Sequence, residues 1–232
     1  MTPEIFACPI DGSSLDDSLT CEKGHKFSYN NGIYDFINQD YKADKLLESV
    51  APIYEQIWAP FGFFLTSALS YNSLLKKIGS IMSSDVVLDI GTGTGRLFDF
   101  TNCKTCIGMD ISNKFLYILK QKRSKVIAVH GNAETLPIKS ASVDSVSSIL
   151  VIHMLKNPQV AIKEISRVLK NRGKCAIVVL ISNGFISRIL SKWWKINPKD
   201  DNYYVATIKE FSLKIKEKQI MGPWELFICE KN

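Results

Sequence analysis

VVLDIGTGTG, residues 86–95, is the stretch that decides the fold of this 232-residue chain. Three apolar residues run into Asp89, glycines follow at positions 91, 93 and 95, and a helical pattern begins at Arg96. The pattern predicts a buried strand that ends in a tight turn, where glycines let the backbone approach a ligand because they lack a Cβ and accept positive φ. Dinucleotide-binding turns follow G-x-G-x-x-G, and this chain does not match them, because the last position counted from Gly91 is Arg96.

The acid two residues before the first glycine completes the pattern D-x-G-x-G-x-G over 89–95. This pattern resembles motif I of the class I S-adenosylmethionine (SAM) dependent methyltransferases. The resemblance implies an α/β fold, with a Rossmann-like, seven-stranded, mostly parallel sheet and helices on both faces. It also implies that Asp89 and the backbone of Gly91, Thr92 and Gly93 face the methionine portion of SAM.

From residue 85 the chain alternates apolar runs with helical patterns, which is typical of a parallel sheet covered by helices. A helix that begins near Pro158 is expected to stop at Gly173. The expected strands are Val86–Ile90, Thr105–Met109, Val126–Val129, Ser145–Val151 and Cys175–Ile181, followed by a hairpin of Ser212–Ile220 and Trp224–Glu230.

Residues at the expected strand ends predict the rest of the cofactor site. Asp110 ends the second strand, where a carboxylate can accept hydrogen bonds from both ribose hydroxyls. The family resemblance implies that Ile111 packs on the adenine. It also implies that Asn132, which stands where the family commonly has aspartate, and the amide of Ala133 bind the adenine edge. Leu150 lies at the carboxyl end of the fourth strand, where ligands bind in open α/β sheets.

Two further side chains are candidates for the reacting end of the site. His153, just past the fourth strand, has a side chain suited to a general base, and the alternative is that it shapes the pocket. Tyr54 belongs to VAPIYE, residues 50–55, which resembles a segment of quinone-biosynthesis C-methyltransferases. Tyr54 is therefore a candidate to touch the cofactor or the acceptor, with an aromatic residue in a helix interface as the alternative.

The N-terminal residues predict a metal site with the spacing C-x2-D-x9-C-x3-H, formed by Cys8, Asp11, Cys21 and His25. Structural zinc sites use pairs of ligands separated by a few residues. The segment resembles the N-terminal zinc module of rRNA guanine-N1 methyltransferases, with Asp11 in place of the second cysteine. The alternative is a zinc-ribbon-like module, held together by aromatic residues, that has lost its metal.

The chain divides into a zinc-ribbon-like module at 1–38, a helical cap at 39–84 and a SAM-binding domain at 85–232. Acceptor recognition is assigned to 183–204, which combines an apolar helical face with basic residues. Such a segment could line an acceptor pocket, touch a membrane surface, stack a base or simply pack on the sheet.

The function predicted is methyl transfer from SAM to a small-molecule acceptor. An rRNA (guanine-N1) or other RNA methyltransferase is one alternative, and a non-catalytic SAM-binding interaction subunit is another. The net charge is +6, divided into −5 over residues 1–40 and +11 over the remainder, and a basic body can attract RNA. The sequence has no apolar run long enough for a membrane span and no secretory signal, so a cytoplasmic location is expected.

Overall fold

The computed structural model describes residues 4–37, 59–67 and 69–232. Nine strands in these ranges form a single sheet in the order β1-β2-β5-β4-β3-β6-β7-β9-β8. The strands are β1 Ser28–Asn30, β2 Ile33–Asp35, β3 Val86–Ile90, β4 Thr105–Asp110, β5 Ile127–His130, β6 Val143–Ile149, β7 Leu169–Leu180, β8 Leu213–Met221 and β9 Trp224–Lys231.

Six strands, β2 to β7, run parallel to their neighbours, while β1 pairs antiparallel with β2 and β9 pairs antiparallel with both β7 and β8. The carboxyl ends of the parallel strands therefore meet at one edge of the sheet. Chain order reverses between β3 and β6, and open α/β sheets bind ligands at such a point.

In the described ranges, six α-helices and two short 3₁₀ helices accompany the strands. Ser70 and Asp200 begin two of the α-helices, where their side chains accept hydrogen bonds from the backbone amides of Ser73 and Tyr203. The α-helices are α1 Ala59–Ser67, α2 Tyr71–Met82, α3 Asn113–Lys122, α4 Pro158–Val168, α5 Gly184–Trp194 and α6 Asp201–Glu210, and the 3₁₀ helices are Arg96–Asp99 and Ile152–Met154.

Both faces of the sheet are covered, and β7 shows how the sequence achieves this. Ile177 and Val179 belong to one apolar cluster with the inward side chains of α4 and α6. Val178 and Leu180 belong to a second cluster, with residues of α2 and α5. A continuous apolar run is what a strand needs when helices bury both of its faces.

The predicted α/β Rossmann-like fold is confirmed, and the sheet is wider than the seven strands expected. The additional strands, β1 and β2, come from the N-terminal segment, whose β2 pairs in parallel with β5. The core strands begin and end within a few residues of the predicted bounds, except β7, which begins at Leu169. The expected helix stop at Gly173 is wrong, because α4 ends at Val168 and Gly173 lies inside β7.

Two sequence-based expectations, the helical cap and the absence of a membrane span, and one pair of cysteines remain to be described. Tyr54 and most of the predicted helical cap before residue 59 lie outside the described residues. Cys103 and Cys106, three residues apart, are joined by a disulfide. None of the helices in the described ranges is long and apolar enough to cross a bilayer.

We expect Phe6→Ala to destabilise the whole fold by about 3–5 kcal/mol. Phe6 is 2% exposed, lies in the same apolar cluster as the sheet core, and packs against Tyr34 and Phe36 with ring centroids 4.8 and 5.1 Å away. Urea unfolding followed by circular dichroism measures the loss. The control is Ile10→Ala, whose side chain is 55% exposed and whose loss we expect to change stability by less than about 0.5 kcal/mol. A similar, small effect of both variants would contradict the packing.

Candidate functional site

A cavity of about 540 Å³ opens at the carboxyl edge of the sheet, where β3, β4, β5 and β6 end. A smaller cavity of about 30 Å³ adjoins it, and Gly91, Gly93 and Ile149 line both. The larger cavity is also lined by Asp110, Ile111, Asn132, Ala133 and Leu150, and the smaller one by Asp89 and Thr92. The structure thus gathers the residues that the sequence predicts for the two ends of SAM.

The glycine turn lies between the two cavities, and its Gly91 and Gly93 line both. The amides of Gly91 and Thr92 donate to the Met109 carbonyl at 2.8 and 2.9 Å, which ties the turn after β3 to the end of β4. Gly91 has φ +68°, and a Cβ on it would lie 2.2 Å from a methyl carbon of Val151. A residue with a side chain would therefore have to displace the segment that follows β6.

Asp110 is 9% exposed and closes the end of β4. Its Oδ2 accepts from the Gly93 amide at 2.8 Å, and its Oδ1 accepts from the Ser112 amide at 2.9 Å. Burial raises the pKa of this carboxyl, and the two backbone hydrogen bonds oppose the rise. Each oxygen keeps a second lone pair, so the carboxylate can still accept from a ligand diol in the cavity.

Asp89, at 4% exposure, is the more deeply buried of the two acids. Burial raises the pKa of Asp89 to about 6, and the charge of Asp110 contributes to this rise. A hydrogen bond from the Ser147 hydroxyl, at 2.6 Å, acts in the opposite direction and lowers the pKa. Two carboxyls held close together in a small space favour a ligand that carries positive charge. SAM carries a sulfonium and an ammonium, so these residues fit it.

The loop after β5 supplies the opposite wall. Asn132 Oδ1 accepts from the Glu134 amide at 2.9 Å, and the Thr135 amide donates to the Asn132 carbonyl, which folds the loop into a turn. Leu150 adopts φ +63° and donates its amide to the Val178 carbonyl, so the segment after β6 turns over the cavity.

His153 does not line either cavity, although it is only one residue from Met154, which does. Its ring is 4% exposed and lies 5.6 Å from the Trp224 ring and 6.4 Å from the Trp194 ring. Nδ1 has no hydrogen-bond partner within the described residues, and burial lowers the pKa to about 3. The neutral, enclosed ring favours the alternative of a pocket-shaping residue over that of a general base.

Part of the cavity wall comes from residues that the sequence did not single out. Met154, which ends the short helix after β6, lines the cavity together with the next two residues, Leu155 and Lys156, and no motif marks them. Trp194, Lys195 and Ile196 line it from the end of α5, within the segment expected to recognise the acceptor. Amphipathic spacing identified the helix, but only the packing of Trp194 near Trp224 shows which of its residues face inward.

A family model described as a methyltransferase domain matches residues 88–177, from β3 through most of β7. An uncharacterized protein of Methanocaldococcus jannaschii is 32% identical over 161 residues, which cover 67% of this chain and 74% of that protein. The chain belongs to the class I SAM-dependent methyltransferases. This family is the one that the glycine turn and the strand-end residues indicate.

Two other comparisons place this methyltransferase among known proteins. The malonyl-[acyl-carrier protein] O-methyltransferase of a Marinomonas species is 34% identical over 132 residues, which cover 53% of this chain and 48% of that enzyme. This chain therefore spans about half the length of that relative. A chain in the complex of the Haloferax volcanii Trm112 methyltransferase activator with its candidate methyltransferase superposes with a TM-score of 0.68, at 16% identity, over 82% of this chain and 99% of that one.

The methyltransferase also carries the side-chain cluster that the sequence predicted near its N-terminus. One ligand atom from each of Cys8, Asp11, Cys21 and His25 lies within 4.8 Å of the others. His25 Nδ1 is 3.5 Å from Cys8 Sγ, 3.3 Å from Cys21 Sγ and 3.4 Å from Asp11 Oδ2. Zinc bonds of about 2.0 to 2.3 Å give tetrahedral edges of about 3.3 to 3.8 Å, and these three distances lie in that range.

Asp11 is prepared to act as an anionic ligand. Its Oδ1 accepts from the Ser13 hydroxyl at 2.6 Å and from the Ser13 amide at 3.0 Å, which holds the pKa of the carboxyl well below its usual range. Its other oxygen, Oδ2, points toward the two sulfurs, 3.8 Å from Cys21 Sγ. The substitution of aspartate for cysteine in the sequence pattern therefore leaves four donor atoms in place.

We expect Asp89→Asn to stabilise the ligand-free methyltransferase at pH 7 by up to about 3 kcal/mol and to leave its stability unchanged near pH 4. The folded protein holds the Asp89 proton up to about pH 6, whereas the unfolded chain releases it near pH 4. The free energy of unfolding of the wild type therefore falls as pH rises through this interval, and the variant escapes that fall.

Urea unfolding at pH 4, 5.5 and 7 measures the effect. The matched control is Asp85→Asn, one residue before β3, whose exposed carboxylate pairs with Lys104 and whose removal should change little at any pH. A pH-independent difference between Asp89→Asn and the wild type would contradict the raised pKa.

Proposed function

We propose that this protein transfers the methyl group of SAM to a small, largely apolar acceptor molecule. The observation that carries the proposal is the composition of the larger cavity, whose two ends differ. The end at the glycine turn is polar and contains the buried Asp110, while the other end is walled by Met154, Leu155, Trp194 and Ile196.

The polar end suits SAM because its hydrogen-bonding groups are already fixed. Asp110 is held by two backbone amides, so its free lone pairs point into the cavity without further ordering. Asp89 presents a buried carboxyl for the ammonium of the methionine portion, and Asn132 with Ala133 offers the adenine a polar edge. SAM supplies an activated methyl group on a sulfonium, so displacement by an acceptor needs chiefly orientation and exclusion of water.

The apolar end suits a small acceptor better than a nucleic acid backbone. Its aliphatic and indole side chains exclude water from the reacting atoms, and Lys156 and Lys195 are the cationic residues in the cavity lining. This pair of cations favours an acceptor that carries a negative group at one end. The role of His153 in this proposal is to support the Trp194 and Trp224 side chains, not to remove a proton.

Incubation of the purified protein with methyl-labelled SAM and cell extract tests the proposal. We expect label in the organic extract of small molecules, at a rate that falls at least about a hundredfold in Asp110→Ala because ribose binding is lost. The matched control is Asp85→Ala, which removes a carboxylate of the exposed pair with Lys104 at a residue that does not line the cavity.

Each of the other results would select a different function. Label in the RNA fraction would replace the small-molecule acceptor with RNA, the alternative that the basic body of the chain keeps open. Binding of SAM without transfer to any fraction would indicate a non-catalytic subunit.

The proposal includes a structural zinc ion at Cys8, Asp11, Cys21 and His25. The strands of residues 4–37 are only three residues long each, and short segments with so little regular structure commonly depend on a metal for their stability. The observation that supports zinc is the three distances from His25 Nδ1 to the donor atoms of Cys8, Cys21 and Asp11, which match the edges of a tetrahedron about one ion.

We expect about one zinc ion per chain by metal analysis of the purified protein, none in Cys21→Ala, and at least about tenfold weaker retention against a chelator in Asp11→Asn. Asp16→Asn is the matched control. Asp16 accepts hydrogen bonds from Ser18 as Asp11 does from Ser13, but it does not belong to the cluster. Full zinc content in Cys21→Ala would rule out this site.

A further inference from the structure

The start of the adenine-facing loop, residues 131–137, is held by the N-terminal segment 4–37. In the pairing of β2 with β5, Asp35 lies opposite His130. The Phe36 amide then donates to the His130 carbonyl at 2.9 Å, immediately before the loop begins at Gly131. The N-terminal segment therefore reaches the carboxyl edge of the sheet, where the larger cavity lies.

The end of the same loop is held by the first residues of the segment. The Ala7 amide donates to the Pro137 carbonyl at 3.2 Å, and the Lys139 amide donates to the Ile5 carbonyl at 2.9 Å. Between these two hydrogen bonds Phe6 pairs with Ile138, and both side chains are buried. Asn132 and Ala133 thus lie in a loop whose two ends are both fixed by residues 4–37.

The His130 side chain connects the N-terminal segment to the cavity wall. The His130 ring places Nδ1 2.8 Å from Asp35 Oδ1 and Nε2 3.1 Å from the Ile111 carbonyl, and Ile111 lines the cavity. A carboxylate and a carbonyl both accept, so the ring makes both hydrogen bonds when each nitrogen carries a proton. The Asn113 side-chain amide lies 3.3 Å from Nδ1.

The exposure of the two partners sets the strength of the coupling. The His130 side chain is 12% exposed and that of Asp35 is 35% exposed, so water screens the pair only in part. Asp35 is itself anchored, because the Ile37 amide donates to the same Oδ1 at 3.0 Å. Loss of the Asp35 charge would weaken the hydrogen bond that orients the ring toward the Ile111 carbonyl.

We propose that Asp35 is a positioning residue for the adenosine end of the SAM site. It acts through His130, which holds the Ile111 backbone at the cavity wall beside the loop that carries Asn132. Asp35 touches neither the methyl group nor the acceptor, so it affects SAM affinity rather than the chemical step. The inference rests on the proposed binding of SAM.

Calorimetric titration of Asp35→Asn with S-adenosylhomocysteine and with 5′-methylthioadenosine tests the inference. Asparagine keeps the shape and the hydrogen bond with Ile37 but removes the charge that holds His130. We expect the Kd of both ligands to rise by about the same factor, about fivefold, because both contain the adenosine group and only one contains the amino acid. The number of binding sites per chain stays at the wild-type value, and turnover at saturating SAM is unchanged.

The matched control is Asp16→Asn, an equivalent change of charge in the same segment at a carboxylate bonded only to local groups, Ser18 and Thr20. We expect its Kd values to equal those of the wild type. Wild-type Kd values in Asp35→Asn, or a reduced number of sites with unchanged Kd, would overturn the positioning role. Failure of the wild-type protein to bind either ligand would instead overturn the proposed function and this inference with it.

Discussion

Two carboxyls buried next to each other, Asp89 and Asp110, are the constraint on which the site depends. Withdrawal from water disfavours the charged form of each, and the charge of Asp110 further disfavours ionisation of Asp89. The fold tolerates them because Ser147 and the amides of Gly93 and Ser112 donate to their oxygens. The ligand-free protein therefore carries an electrostatic cost at these two carboxyls, which a cationic ligand would reduce. Ligand sites commonly lower the stability of a fold in this way.

The Gly93 amide can reach Asp110 because the turn after β3 passes close to the end of β4. The turn after β3 can reach both the end of β4 and Val151 only where no Cβ intervenes, at Gly91. A helix with regular capping in this place would direct its amides along its own axis. The glycine turn instead directs the Gly93 amide at Asp110, so a glycine that lines the cavity also holds the acid at the end of β4.

The N-terminal segment contributes to the site because it adds strands to the edge of the sheet and does not form a separate module. Without β2, the edge of β5 would present unpaired backbone groups next to the loop of residues 131–137, and such edges are prone to slip or to pair wrongly. Parallel pairing with β2 satisfies those groups and fixes the register of Asp35 opposite His130. The cluster of Cys8, Asp11, Cys21 and His25 begins one residue after Ala7, whose amide holds the Pro137 carbonyl at the end of the same loop.

The sequence by itself determined the parallel core of the sheet, the glycine turn, the acid at the end of β4 and the four side chains of the N-terminal cluster. These features depend on short-range spacing: apolar runs form strands, glycines permit tight turns, and ligand pairs lie a few residues apart. Gly173 shows where short-range reasoning fails. A glycine after a helical pattern ends many helices, yet here it lies in β7, where a Cβ would come within 2.8 Å of the Lys170 carbonyl.

Only the tertiary structure decided which distant residues share a wall. Met154 and Trp194 line the same cavity because α5 packs beside Trp224 of β9. His153 is enclosed by the same two indoles and is therefore not exposed to a substrate. The contact of Asp35 with His130 joins residues 95 positions apart and follows from strand pairing at the sheet edge. No local pattern encodes such contacts, because they depend on which strand lies next to which and on how side chains compete for the space between them.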